Sequence, residues 1–303
     1  MNHRLAGAVW GHLVGDAMGV PYEFTPKSIP LGRIEWGHVG TWNQPPGTWS
    51  DDGGLMLALL DSLTSVGFDL EDQAKRAVAW MDGLDYKPGK RFDIGGTTSR
   101  ALHNYKAGIP AAQCGGRQEL DNGNGGLMRI LPVALVARDE PTEKVVRWAL
   151  RASSLTHGHP RSEAVCALYC VAVRDLLQGR KSLADVLRTA FQAVDDYGRP
   201  LRSELALITR FDKPSGSGYV VDTFVSAWEA LESSRSYEEA VKRAISYGGD
   251  TDTTAAVVGG LAGAYYGVAG IPGDWLADMR GKQIVEPMIA RLTASTVVDM
   301  AKR

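Results

Sequence analysis

Cysteine is scarce in this chain, and the patterns that disulfide frameworks or zinc sites require are missing. Its 303 residues include only Cys114, Cys166 and Cys170, and no two of them form a C-x-x-C pair. Cys166 and Cys170 are four residues apart, so we expect them to share one helix face as buried, small apolar side chains. This usage indicates a reducing compartment. Because the first thirteen residues lack the apolar core and cleavage site of a signal peptide, we expect a cytoplasmic protein.

A strong net charge is also absent. The 33 Lys and Arg residues nearly balance the 35 Asp and Glu residues, which leaves a formal charge of −2. No global field exists to attract nucleic acid or an anionic membrane. The longest uncharged stretch, residues 255–272, is glycine-rich and shorter than the ~20 residues of a membrane span. We therefore expect neither general nucleic-acid binding nor membrane insertion, and predict a buried helix that another backbone approaches closely.

Strict alternation of apolar and polar residues is missing, whereas helical spacing runs through most of the chain. Apolar residues recur every three or four positions in residues 55–63, 74–81, 164–171, 183–194, 221–231 and 240–245. Strand-then-helix alternation, internal repeats and linker-like segments are not found. The pattern predicts an all-α protein with a single domain over residues 1–303.

Two short segments rich in Asp and hydroxyl residues precede apolar helices. They are GTWSDD at residues 47–52 and GGDTDTT at residues 248–254. Taken alone, each is typical of a helix N-cap. Together with Glu23 they offer five carboxylates and several hydroxyls, hard oxygen donors that suit Mg²⁺ or Mn²⁺ rather than zinc. If the two helix starts converge, these groups can hold two divalent ions.

A glycine-rich segment, DNGNGGLMR at residues 121–129, lacks the preceding strand and the spacing of a dinucleotide fingerprint. One interpretation is a plain turn. The other is that its backbone N–H groups, at the start of an apolar helix, bind a diphosphate beside the positive charge of Arg129. His157 and His159 form an H-x-H pair without further His or Cys partners for zinc, so we expect a polar or ligand-lining role there.

These motifs, taken in order, resemble the ADP-ribosylglycohydrolase family over nearly the whole chain. The resemblance rests on the following sequences: GDAMGVPYE from residue 15, GTWSDD, NGNGGLMRILPVAL from residue 122, the pair Thr156 and His157, GYVVDT from residue 218, and GGDTDTTAA. It implies a single compact domain of orthogonal α-helices with a cleft that contains a binuclear Mg²⁺ or Mn²⁺ centre.

The resemblance also implies roles for individual residues. The metal ligands it implies are Ser50, Asp51, Asp52, Asp250, Asp252 and Thr253. Glu23 lies beside the metals as a ligand or gate, and the implied catalytic residues are Glu23, Asp51 and Asp252, with Glu23 or an Asp as general base. The implied ADP-ribose-binding residues are Gly123, Asn124, Gly125, Met128 and His157.

The stretch FDIGGTT at residues 92–98 resembles one in the arginine-specific branch of the family. There, Asp93 and the adjoining Gly95 contact the substrate, and Asp93 faces the guanidinium; the alternative is that Asp93 caps the helix that follows. The sequence departs from the family pattern at two positions. Ser50 replaces a Thr and keeps the hydroxyl, whereas Gly53 replaces the Thr after the Asp pair and predicts a looser helix start.

The resemblance implies a hydrolase that uses two divalent ions, Mg²⁺ or Mn²⁺, to remove ADP-ribose from a modified side chain, with arginine as the expected site. Its partner is then an ADP-ribosylated protein or a small ADP-ribose conjugate. Two alternatives stay open. One is a non-catalytic relative that resembles the lens crystallins, and the other is a Mg²⁺-dependent phosphohydrolase that acts on a nucleotide.

Overall fold

The computed structural model describes residues 1–25, 28–180 and 182–298, which form helices joined by loops and short 3₁₀ turns. The α-helices are α1 (Asn2–Gly19), α2 (Asp51–Ser65), α3 (Leu70–Met81), α4 (Gly96–Lys106), α5 (Ala111–Cys114), α6 (Leu131–Val136), α7 (Thr142–Ser154), α8 (Pro160–Leu177), α9 (Leu183–Tyr197), α10 (Leu201–Thr209), α11 (Val220–Glu232), α12 (Tyr237–Ser246), α13 (Thr251–Tyr266), α14 (Gly273–Asp278) and α15 (Lys282–Val298). No strand occurs in these described ranges. The predicted all-α fold is confirmed.

Helices α1 and α13 lie antiparallel against each other, with their backbones in direct contact. Glycine recurs every fourth residue along α1, at Gly7, Gly11, Gly15 and Gly19. A Cβ atom on Gly11 would lie 2.3 Å from the carbonyl oxygen of Gly259 in α13, and the other three glycines are equally crowded. Larger residues would force the helices apart. The predicted close approach to the glycine-rich helix is therefore confirmed, and its partner is α1.

This pairing brings the C-terminal end of α1 to the N-terminal end of α13. Thr251 at the start of α13 donates a hydrogen bond from Oγ1 to the carbonyl oxygen of Gly19 at 2.8 Å. Farther along the chain, Phe24 donates its backbone N–H to the carbonyl oxygen of Gly249 at 2.7 Å. Glu23 is consequently held beside the Asp/Thr segment that opens α13, more than two hundred residues away in sequence.

The buried residues of the helices follow the spacing predicted from the sequence. Helix α8 is buried along nearly all of its length, and Cys166 and Cys170 are completely buried within it as free thiols. The expectation that they pack as apolar side chains is confirmed. None of the helices in the described part of the chain has the length and apolarity needed to cross a bilayer.

Candidate active site

The predicted site residues meet in one cleft, where the ends of several helices converge. The cleft has a volume of 290 Å³. Its walls are Glu23, Phe24, Asp51, Asp93, Gly95, Gly96, Thr97, Thr98, Gly123, Asn124, Gly125, Met128, His157, Gly218, Asp250 and Thr253. Of the residues predicted from the sequence, Ser50, Asp52 and Asp252 do not line the cleft and are buried next to it.

The start of α2 is held by a carboxylate from another helix. Asp16 of α1 accepts backbone hydrogen bonds from Ser50 (2.9 Å) and from Gly53 (2.8 Å). Ser50 also acts as the N-cap of α2, since its Oγ accepts the N–H of Asp52 at 3.3 Å. The capping interpretation of Ser50 is therefore correct, and it does not exclude a ligand role because the hydroxyl lies beside the carboxylates.

Asp52 connects the two acidic segments. Its Oδ2 accepts hydrogen bonds from the hydroxyls of Ser50 (3.1 Å) and Thr253 (3.3 Å). Thr253 is the third residue of α13 and Asp52 the second residue of α2. The two helix starts thus converge, which is the condition under which their carboxylates can share ions.

A second group of carboxylates includes Asp252 from the start of α13. Glu23, Asp93 and Asp252 each place a carboxylate oxygen within 4.8 Å of the other two. Burial, followed by the nearby charge of Asp93, raises the pKa of Glu23 to about 8. Burial, followed by the charge of Asp250, raises the pKa of Asp93 to about 6. Carboxylates this close repel one another unless a proton or a cation intervenes.

The donor set fits divalent cations. Asp51, Asp52 and Asp252 are almost fully buried, and burial together with neighbouring carboxylates holds their pKa values well above the usual range. Asp52 Oδ1 and Asp252 Oδ2 are buried without a hydrogen-bond partner. None of the described residues that line the cleft is a lysine or an arginine. Unpaired buried oxygens in this number are costly, and a bound Mg²⁺ or Mn²⁺ would satisfy them.

The glycine-rich loop forms another part of the cleft wall. Residues Asn124–Gly126 make a 3₁₀ turn, and α6 begins only at Leu131, so the prediction that this loop directly opens a helix is wrong. Asn124 donates from Nδ2 to Asp250 Oδ2 at 2.9 Å, and this bond ties the loop to the acidic segment of α13. The side chain of Asp250 therefore does not cap α13.

The surroundings of Gly125 leave no room for a side chain. A Cβ atom there would lie 2.8 Å from both His157 Cε1 and Thr98 Oγ1. Gly123 forms an isolated bridge with Tyr219, and two further bridges, Thr25 with Gly249 and Gly116 with His157, join the other loops of the cleft. The loops are thus fixed to one another by backbone hydrogen bonds.

His157 is buried and neutral. Burial, then the charge of Arg129, lowers its pKa to about 3. Its Nδ1 lies 2.9 Å from Thr156 Oγ1, and the same hydroxyl accepts a hydrogen bond from Arg129 at 2.9 Å. Because a guanidinium only donates, the Thr156 hydroxyl keeps its own proton, which it can donate to Nδ1 in the tautomer that carries the imidazole proton on Nε2.

Two expectations from the sequence are wrong. Arg129 is 3% exposed and donates to the carbonyl oxygen of Ala152 and to Thr156, so it positions His157 and does not extend into the cleft. Gly53 does not loosen the start of α2, because a Cβ atom there would lie 2.7 Å from Leu13 and Trp49. The tight packing of α1 and Trp49 explains why glycine occupies that position.

Asp93 does not cap α4. The N-cap of that helix is Gly95, and no side chain bonds to its first N–H groups. Asp93 has a φ of 49°, an uncommon conformation for a non-glycine residue, and it is placed beside Glu23 and Asp252 instead. The open N-terminus of α4 faces the cleft through Gly96, Thr97 and Thr98.

Sequence reasoning missed Asp16 and Thr98. Asp16 follows Leu13, Val14 and Gly15 in a stretch with no other charge, a position where a buried carboxylate needs partners. A lone carboxylate in an otherwise uncharged stretch is therefore the sequence signal that identifies Asp16. Thr98 is 1% exposed, and its Oγ1 has no hydrogen-bond partner although the residue lines the cleft; no sequence pattern distinguished it.

A larger cavity of 810 Å³ lies between α9, α10 and α11. Its walls are mainly apolar and include Leu187, Phe191 and Phe224. The carboxylates that also line it include Asp195 of α9 and Glu232 of α11. It lacks the convergent oxygen donors of the cleft. Size alone does not make it the better candidate for chemistry.

Comparisons with known proteins agree with this geometry. The ADP-ribosylglycohydrolase family profile matches residues 1–301. The chain is 30% identical to the ADP-ribosyl-[dinitrogen reductase] glycohydrolase of Rhodospirillum rubrum, over 99% of this chain and 98% of that protein. It is 31% identical to the ADP-ribosylarginine hydrolase Tri1 of Pseudomonas putida, over 95% of this chain and 77% of that protein. It is 28% identical to the human ADP-ribosylhydrolase ARH3, over 92% of this chain and 89% of that protein. A solved structure described as an ADP-ribosylglycohydrolase-related protein complex superimposes with a TM-score of 0.80 at 33% identity, covering 96% of this chain and 97% of the other.

Proposed function

The chain belongs to the ADP-ribosylglycohydrolase family, and from that premise we propose that it removes ADP-ribose from modified arginine side chains with the help of two divalent ions. One observation carries the proposal. Acidic residues from the starts of α2 and α13 converge with Glu23 and Asp93 on the floor of a cleft whose other wall is a glycine-rich turn. Relatives named for ADP-ribosylarginine hydrolysis support the choice of arginine.

The residues proposed to hold the ions are Ser50, Asp51, Asp52, Asp250, Asp252 and Thr253. Either Mg²⁺ or Mn²⁺ suits this set of oxygen donors. When bound, such ions supply positive charge that stabilises the sugar hydroxyls and the attacking water during bond cleavage. The unpaired buried oxygens of Asp52 and Asp252 support this assignment.

The ADP-ribose is proposed to lie along Gly123, Asn124, Gly125, Met128 and His157. The N–H groups of the turn and the open N-terminus of α4 both favour the negatively charged diphosphate. His157 is neutral, and the tautomer with its proton on Nε2, which accepts at Nδ1 from Thr156, would donate a hydrogen bond to an oxygen of the ligand. None of the described residues that line the cleft would then supply a cationic side chain to the diphosphate.

Glu23 is proposed as the general base, and Asp51 and Asp252 complete the catalytic group. Glu23 lies within 4.8 Å of Asp93 and Asp252, and cations bound there would favour its carboxylate form, which can accept a proton. Glu23 takes a proton from water as the water oxygen attacks the anomeric carbon. The bond from that carbon to the guanidinium nitrogen breaks, and its electron pair leaves with the neutral guanidine. The guanidine then takes up the proton from Glu23, which restores the carboxylate.

Asp93 and Gly95 are proposed to face the leaving group. A carboxylate that accepts paired hydrogen bonds is well matched to a planar guanidinium, whereas a serine conjugate offers no cation. Incubation with ADP-ribosylated arginine and serine peptides, with and without Mg²⁺, tests the proposal by mass spectrometry. Release of phosphate with an intact glycosidic bond would instead indicate a phosphohydrolase, and no turnover would indicate a non-catalytic relative.

A further inference from the structure

Two separate chain segments each contribute a carboxylate to the group of Glu23, Asp93 and Asp252. In each segment an aromatic residue is adjacent to that carboxylate in the sequence. Glu23 is followed by Phe24, and Asp93 is preceded by Phe92. In each pair one residue has a left-handed backbone, with φ of 61° at Phe24 and 49° at Asp93. Bulky and charged side chains seldom adopt this conformation, and residues held in it concentrate at functional sites.

Phe24 adopts this left-handed conformation although its ring is not buried in the hydrophobic core. Its side chain is 62% exposed, and the residue lines the cleft. The backbone is fixed on both sides, because the N–H of Phe24 bonds to the carbonyl of Gly249 and Thr25 forms a bridge with the same glycine. A hydrophobic ring that is exposed, rigidly presented and placed at a cleft is suited to contact a ligand.

Trp42 joins the two segments. Its ring lies 6.2 Å from that of Phe24 and 5.5 Å from that of Phe92. Its indole Nε1 donates a hydrogen bond to Glu23 Oε2, while the neighbouring Thr41 donates from Oγ1 to the carbonyl oxygen of Glu23 at 2.7 Å. We call Phe24, Trp42 and Phe92 the aromatic wall.

The chemistry around the aromatic wall selects for a cation. Glu23, Asp51, Asp93 and Asp250 line the cleft, and none of the described lining residues carries a positive side chain. Aromatic faces attract planar cations, and neighbouring carboxylates attract the same cations. An anionic or neutral group gains nothing comparable at this position.

We propose that Phe24, supported by Trp42, is the stacking surface for the guanidinium of the substrate's arginine and determines specificity for that leaving group. The inference rests on the proposed function and adds a residue to it. The guanidinium would stack on the Phe24 ring while Asp93 accepts its N–H groups. Aromatic character at residue 24, and not merely apolar bulk, is then required.

The test compares the parent protein with Phe24→Leu and Phe24→Tyr on an ADP-ribosylarginine peptide. We expect Phe24→Leu to lower kcat/KM by about 5-fold, mainly by raising KM, because a cation–π contact on an exposed ring is worth up to about that factor. Phe24→Tyr keeps the aromatic face and should restore kcat/KM to within about 2-fold. The inhibition constant of free ADP-ribose should be the same in all three proteins.

A binding measurement decides the matter even without turnover. Calorimetry with saturating ADP-ribose compares agmatine, which carries a guanidinium, with 1,4-diaminobutane, which carries an amine in its place. The parent and Phe24→Tyr should prefer agmatine, and Phe24→Leu should lose that preference.

The proposal is overturned if Phe24→Leu matches the parent in both assays. It is also overturned if Leu and Tyr are equally impaired, or if Phe24→Leu mainly weakens binding of free ADP-ribose, since Phe24 would then serve the nucleotide. A parent protein that cleaves no ADP-ribose conjugate contradicts the proposed function alone, because the agmatine preference is measured independently.

Discussion

Asp16 in α1 accepts the backbone N–H of Ser50, with Oδ1 at 2.9 Å and Oδ2 at 3.1 Å, and so fixes the residue that precedes α2. Oδ2 also accepts the N–H of Gly53 at 2.8 Å. The carboxylate thereby adds to the cap that Ser50 Oγ provides for the N–H of Asp52. A residue outside the proposed ligand set thus positions Ser50, Asp51 and Asp52.

Replacing Asp16 should weaken metal binding and destabilise the protein together. We expect Asp16→Ala to leave buried N–H groups unpaired, to lower the free energy of unfolding by about 2 kcal/mol and to weaken Mg²⁺ binding about 10-fold or more. Asp69→Ala is the matched control, since Asp69 caps α3 through the N–H groups of Glu71 and Asp72. Urea unfolding and calorimetry should show lost stability in both variants but weaker metal binding only in Asp16→Ala. Equal metal affinity in both would contradict the positioning role.

Removing a single carboxylate from either acidic segment should abolish turnover. Asp51→Ala and Asp252→Ala each take away an oxygen donor, and we expect a loss of more than about 100-fold in kcat with the helical content unchanged. Asp82→Ala is the control, because Asp82 forms an exposed ion pair with Lys106 away from the cleft. Calorimetry and circular dichroism check metal stoichiometry and fold. Unchanged stoichiometry and activity in both site variants would rule out the metal assignment.

The metal-free protein should lose stability as the pH rises. In the folded state burial raises the pKa of Asp93 to about 6, of Asp16 to about 7 and of Glu23 to about 8, whereas unfolded carboxyls titrate near pH ~4. The folded protein therefore binds more protons between these limits. The stability that these three carboxyls contribute is full below pH ~4 and is lost as the pH rises through ~8.

Thermal melts in EDTA and in Mg²⁺ check this dependence. We expect the melting temperature in EDTA to fall by several degrees between pH 5.5 and pH 8, and added Mg²⁺ to restore more of it at the higher pH. Glu23→Gln should reduce the slope. A metal-free protein that becomes more stable over this range would contradict the carboxylate cluster.

The glycine-rich turn should be sensitive to side chains. Gly125→Val would force a branched side chain against His157 and Thr98, and we expect ADP-ribose binding to weaken by more than about 10-fold. Gly89→Val is the matched control, since a Cβ atom at Gly89 meets nothing within 4 Å. Equal ADP-ribose affinity in the two variants, with equal helicity, would mean that the turn has no part in binding.

Asp93 should determine the preference between linkages. We expect Asp93→Ala to lose at least about 10-fold in kcat/KM on the arginine peptide, because the guanidinium loses a charged acceptor. Metal affinity is measured in parallel because Asp93 lies close to Glu23 and Asp252. If the variant loses nothing on arginine, or if the parent cleaves the serine conjugate faster, arginine specificity is wrong.

Much of this arrangement is predictable from the sequence, for physical reasons. The 3.6-residue spacing predicts helices such as α2 and α8, and the hard oxygen donors of residues 50–52 and 250–253 predict a place for Mg²⁺ or Mn²⁺. The convergence of those segments depends on the glycines of α1, whose spacing of four residues lets α13 approach. That spacing is visible in the sequence, but the identity of the partner helix is a tertiary property.

The errors have a common origin in long-range contacts. Arg129 looks like a phosphate-binding residue because it follows serial glycines, yet its guanidinium turns inward to Ala152 and Thr156. Gly53 looks like a weak helix start, yet Trp49 and Leu13 leave no room for a side chain. Neither neighbour can be inferred from local sequence.

The central claim is the metal-dependent removal of ADP-ribose from arginine, and product analysis tests it most directly. The protein is incubated with one peptide ADP-ribosylated on arginine and another on serine, with Mg²⁺ or with EDTA, and the products are identified by mass spectrometry. We predict free ADP-ribose and unmodified arginine peptide in Mg²⁺ only, with slower or no release from serine. Release of ADP-ribose at the same rate in EDTA, or release of phosphate from a conjugate whose glycosidic bond stays intact, would contradict the account.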